Sequence, residues 1–135
     1  MPRGSIEHKD LDTLARESFV DGCVGEAIGA AIARRGAELA IDTVIGETLA
    51  SIAADEQRHA ELAWTIVAFC IERGGDMVAR ALASTSAFAT KASRGPTNIP
   101  RAEVDEIAAE VAVDARRRLA ILTDRSGRTS SAHAS

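Results

Sequence analysis

The sequence predicts an all-α protein: an antiparallel helical hairpin with two further helices, as a four-helix bundle or a dimer of hairpins. Three observations carry the all-α expectation. Hydrophobic residues make up 46% of the chain but aromatics only 3%, so the core draws on Ala, Leu, Ile and Val, which favours closely packed helices over a β-sandwich. Apolar residues recur at steps of three and four over long stretches. No strand-like alternation of useful length interrupts them. A length of 135 residues suits one domain.

Taken in order, Met1 to Asp10 is polar and reads as a disordered arm before a helical domain over 11–124. A first helix is expected from near Leu11 to about Leu39. Asp42 suits the N-cap of the next, because its carboxylate can accept from the free amides of the first turn. That second helix should run from Thr43 to Arg73, where Gly74 and Gly75 stop it. Asp76 is placed to cap a third helix, Met77 to Lys91. Ser93 to Ile99 is dense in breakers and reads as a loop. Pro100 suits the first turn of a fourth helix, since proline lacks only an amide that would be unpaired there. That helix should end near Thr123. Arg125 to Ser135 has little to bury and reads as a disordered tail.

Several function classes are disfavoured. A formal net charge of −4 suggests no nucleic-acid partner, and Arg116, Arg117 and Arg118 read as solvated helix surface. The longest largely apolar stretch, Ala63 to Ile71, is too short to span a membrane. The N-terminus shows no signal-peptide pattern. Two cysteines are too few for a disulfide scaffold; Cys23 and Cys70 read as small core residues. The expected compartment is the cytoplasm.

The second helix carries the chemistry. Ile45, Leu49, Ile52, Glu56, His59, Ala63, Ile66 and Cys70 follow steps of four and three and trace one continuous face. Every member is apolar except Glu56 and His59, at its centre. Burying an ionised carboxylate without a partner is costly, so a proton, a basic side chain or a cation must neutralise it. Glu56 and His59 are three apart and leave neighbouring points of one face. Together they can offer an oxygen and a nitrogen donor to one transition-metal ion. On the first helix, Phe19, Cys23, Glu26, Ala30 and Ala33 form a similar face with one carboxylate in the middle. Gly22, Gly25 and Gly29 surround it and suggest a close backbone approach.

Glu26 and Glu56 are equally far from position 41, inside the expected turn. Each lies about 13 helical residues from its end of the turn, roughly 20 Å. An antiparallel hairpin should therefore set the two glutamates level and His59 level with Cys23. Glu26, Glu56 and His59 become the candidate metal ligands. The opposing expectations are a buried Glu–His hydrogen bond with no metal, an exposed face that only resembles core and, for Glu26, an ordinary surface glutamate.

The run Asp55-Glu56-Gln57-Arg58-His59 resembles the Asp-Glu-x-Arg-His motif of ferritin-like di-iron carboxylate proteins, which include rubrerythrins and acyl-carrier-protein desaturases. Gly22-Cys23-Val24-Gly25-Glu26-Ala27, with Ile52 to Trp64, is similar to the second half of bacterial ferritin-like domain proteins. The resemblance covers about Glu17 to Gly75. It implies Glu26 as a terminal or bridging carboxylate, Glu56 bridging two ions and His59 as a terminal nitrogen ligand. It also implies that Asp55 orients a ligand histidine by accepting its N–H, with Arg58 paired to a nearby carboxylate. Iron is the implied metal, although manganese and zinc accept the same donors.

The family's site takes a Glu from each of two helices and Glu-x-x-His from each of two others. This chain offers one such set. Its last helix holds Glu103, Asp105, Glu106, Glu110 and Asp114 but no ligand histidine, and its apolar face is Val104, Ile107, Val111, Ala115, Leu119 and Leu122. The expectation is a homodimer, or a higher homo-oligomer, that completes the site between chains. Its implied chemistry is oxidation of Fe(II) by dioxygen or peroxide. The alternatives are a non-catalytic helical interaction module and a truncated remnant of a longer ferritin-like protein.

Overall fold

The computed structural model describes residues 8–86 and 98–134, with side chains for 10–86 and 98–125. Every regular element among them is helical: α1 (His8–Glu17), a π-helical stretch (Ser18–Glu26), α2 (Ala27–Leu39), α3 (Thr43–Gly74), α4 (Asp76–Ala83) and α5 (Arg101–Ala134). The first three follow one another without a break and form one arm of a hairpin; α3 forms the other. The all-α expectation and the hairpin both hold.

Local chemistry explains the boundaries. Asp42 adopts extended backbone, and its Oδ1 accepts from the amides of Val44 at 2.8 Å and Ile45 at 3.1 Å, the expected cap. α3 ends where Gly75 turns to a φ of 61° and donates its N–H to the Ile71 carbonyl. Gly75, not Asp76, occupies the N-cap position of α4. Asp76 lies in the first turn instead, where its charge favours the free amides.

α4 is shorter than its apolar pattern predicts. The hydroxyls of Ser84 and Thr85 donate back to the Ala81 carbonyl and compete with the backbone ladder there. Residues 87–97, which hold the expected end at Lys91 and most of the Ser93–Ile99 loop, lie outside the described residues. So do residues 1–7 of the expected arm. The Pro100 carbonyl accepts from Glu103 and Val104 at the start of α5. α5 runs to Ala134, past the stop expected near Thr123 and through the stretch expected as a tail. No proline follows Pro100 to end it.

The core gathers at the α4 end of the hairpin. Phe19, Val24, Val67, Val78 and Leu82 are fully buried, each contributing about 1.5–3 kcal/mol of transfer free energy. Phe19 meets Trp64 edge-on, with ring centroids 6.0 Å apart. α5 lays Val104, Ala115 and Leu119 on this cluster, with Ile107, Val111 and Leu122 partly buried, the apolar face expected for it.

Two of the three consecutive arginines depart from the expected solvated role. Arg116 stacks on Phe19 and donates to the Leu82 carbonyl. Arg118 stacks on Trp64 and makes two parallel 3.0 Å bonds to the Glu61 carboxylate. Long basic side chains can cover apolar surface with their stems while their heads stay wet; here they staple α5 to the hairpin. Only Arg117 stays outward, near Asp114. Among the described residues no helix is long and apolar enough to cross a membrane.

Candidate metal centre

The hairpin arms approach closely because small residues line the seam. A Cβ on Gly22 would fall 2.2 Å from the Cβ of Ala63, and one on Gly29 would fall 1.9 Å from Oε2 of Glu56. The Glu56 carboxylate therefore occupies the space that a side chain at position 29 would fill. Between these contacts, Nδ1 of His59 lies 3.8 Å from Oε2 of Glu26. The seam thus reads Gly22 on Ala63, Glu26 on His59 and Gly29 on Glu56.

This register corrects the expected one. Glu26 is level with His59 rather than with Glu56. Equal counting from the turn assumes that both helices start at one height. Instead Gly46 abuts Ala37 and Ala40, so the first residues of α3 extend past the end of α2. Side chains also lean toward their own helix N-terminus, which offsets contacts across an antiparallel pair in the same sense.

The expected burial is corrected too. His59 keeps 64% of its side-chain surface exposed and Glu26 38%, while Glu56 is half-buried. Along the same α3 face Ile45 and Ile52 are exposed, as are Leu14 and Leu62 beside it. α4 and α5 pack the other side of the hairpin, so the polar pair stands on an open face rather than in the core. Even so, Oε2 of Glu56 is itself buried and has no hydrogen-bond partner. Burial pushes the Glu56 carboxyl above its ordinary range, the Glu26 charge adds to that, and His59 works against it.

The three expected ligands are thus neighbours but have not converged. Among the described residues no group of three His, Cys, Asp or Glu is close enough to hold a metal ion. Asp55 and Arg58 bind each other on the exposed surface. Arg58 thus has a carboxylate partner in Asp55, and within the chain the contact of His59 is Glu26. Glu17, Ser18 and Asp21 line the same groove as Glu26, His59 and Leu62. Glu17 and Asp21 lie outside the expected ligand set; their four-residue spacing beside Gly22 is the signal the sequence offers for them.

Cys23 and Cys70 are buried free thiols, as expected. Burial pushes Cys23 up to about 12, so it is no thiolate donor near neutral pH.

By donor type, though not by placement, the residues present suit a hard or borderline cation. Two carboxylates and an imidazole are the donors such ions take, and a buried carboxylate oxygen without a partner calls for an explanation. The glycine cradle at position 29 leaves that oxygen room. Comparison with protein-family models, curated proteins and solved structures returns no match for this chain.

Proposed function

We propose that the chain is a ferritin-like metal-binding protein. In this reading the metal is iron, in a di-iron site shared between two chains with ferroxidase or dioxygen- or peroxide-dependent oxidoreductase chemistry. The observation that carries the reading is Oε2 of Glu56, buried without a hydrogen-bond partner next to Glu26 and His59. A carboxylate held in this way favours a proton or a cation. Bound iron would supply electron exchange with dioxygen or peroxide.

Glu26 and Glu56 would offer hard oxygens that favour the ferric state, and His59 a nitrogen donor. Gly29 leaves room for the Glu56 carboxylate. Manganese and zinc accept the same donors. The free buried thiols accord with a reducing cytoplasm as the compartment.

Titration calorimetry with Mn2+ and, under nitrogen, Fe2+ tests the reading. Glu56→Ala and His59→Ala should each weaken binding by more than about tenfold, since even loss of a group that supports a ligand costs that much. Circular dichroism should show both variants still helical. Equal metal affinity in the variants and the wild type would overturn the assignment. A helical interaction module is the second reading, favoured by the exposed Ile52 and Leu62 on the open face. It expects both variants to associate as the wild type does, with or without metal.

A further inference from the structure

We propose that the cleft between α3 and α5 binds a planar aromatic acid the size of two fused rings. Its walls are Glu61, Trp64 and Ala68 on α3 and Arg118, Ile121 and Leu122 on α5, around a volume of about 320 Å³. That is at the small end of the range for ligand sites. Each helix contributes at steps of three and four, so one strip of each faces the same space. Successive residues turn by about 100° around a helix, so Glu61, Trp64 and Ala68 fall opposite Glu56 and His59. The cleft is therefore separate from the candidate metal centre and needs no metal.

The guanidinium of Arg118 decides what shape of ligand fits. One of its faces lies on the Trp64 ring, 4.5 Å from the centroid. Its Nη1 and Nη2 each donate to the Glu61 carboxylate at 3.0 Å. With both contacts made, 52% of the Arg118 side chain is still exposed, and the face turned away from Trp64 is the one left for a ligand. A planar guanidinium stacks on aromatic rings with either face. This one is already held in place by the ring and the two bonds, so stacking on it orders little that was free before.

Beside the guanidinium, Ala68, Ile121 and Leu122 give the cleft an apolar side. Ile121 is 56% exposed, and covering it removes that surface from water. A flat hydrocarbon body uses both features at once. The acid group follows from charge, because Arg125 lines the same cleft and makes two arginines to one carboxylate. A small inorganic anion suits the site less well. Glu61 already holds the paired Nη donors that such an anion would take from a free arginine.

The chain has one tryptophan, so the indole N–H of Trp64 gives a single 1H–15N resonance from the cleft. Titration of the whole chain with 2-naphthoate should move that resonance saturably. Decahydro-2-naphthoate keeps the charge and the carbon skeleton but has no flat π face. It should bind at least about fivefold more weakly, the scale of one cation–π contact. Arg118→Lys keeps the charge and loses the planar stack, and should weaken 2-naphthoate by a similar factor. Ala68→Leu fills the apolar side, leaves Arg118 in place, and should weaken both acids. Circular dichroism confirms that each variant is folded.

A Trp64 resonance that stays put at millimolar 2-naphthoate overturns the site, and so does full affinity in Ala68→Leu. Equal binding of the saturated acid, or unchanged affinity in Arg118→Lys, overturns stacking on Arg118 as the basis of recognition.

Discussion

Gly22 and Gly29 face the same helix but should answer substitution in opposite ways. At Gly22 a new methyl meets the Ala63 Cβ at 2.2 Å, with the Ala63 Cα 3.6 Å away. Neither atom can move without the backbone, so the seam must open. Gly22→Ala should destabilise the fold by about 1–3 kcal/mol, the usual cost of overpacking. At Gly29 the methyl meets only the far end of Glu56, a side chain free to swing out. Alanine is also the better helix former by roughly 1 kcal/mol. Gly29→Ala should therefore keep or raise the urea midpoint while weakening Mn2+ binding. Urea melts and calorimetry on the two variants check both expectations. A Gly29→Ala protein that binds Mn2+ as the wild type does would detach the cradle from the metal. The three glycines near Glu26 were visible in the sequence as a hint of close approach. Which helix approached, and what each glycine made room for, depended on the register.

At the scale of elements, the sequence was most legible where a single side chain sets a boundary. Asp42 caps α3 as its position before an apolar periodic run implied. The cap is exposed and local, so Asp42→Ala should cost about 1 kcal/mol in urea unfolding and leave metal binding unchanged. A cost near zero would mean that packing alone starts α3. Less legible were the features that depend on several residues at once. The π-helical stretch Ser18–Glu26 has no marker in a pattern of threes and fours. Yet it coincides with the segment where Phe19 and Cys23 turn into the core and Glu26 meets α3. Such stretches are often found at functional sites. The α4 stop at Ser84 and Thr85 rests on hydroxyls returning to the Ala81 carbonyl. An apolar count that ran on to Lys91 had no reason to anticipate it. The three-residue shift between the hairpin arms likewise arises from how α3 overshoots the end of α2.

At the scale of the molecule, coverage is one-sided. α4 and α5 close one side of the hairpin around Phe19, Val67 and Leu82. The other side carries Ile45, Ile52, Glu56, His59 and Leu62 with little over them. The continuous face of α3 was legible as a pattern, but a pattern does not say whether its cover comes from the same chain. Reading that face as core placed Glu56 and His59 too deep. The sequence did identify the three residues that now stand together, and it counted them as half of a ligand set. In the structure Glu26 lies 3.8 Å from His59, and the charges of both bear on Glu56.

The most direct test of the central claim is native mass spectrometry after reconstitution with Fe(II), which reads subunit number and metal count in one spectrum. Two subunits carrying two irons, with both the iron and the pairing lost in Glu56→Ala, is the predicted result. A metal-free monomer under the same conditions would contradict the shared site and leave a helical module whose acid–imidazole pair has no metal to hold.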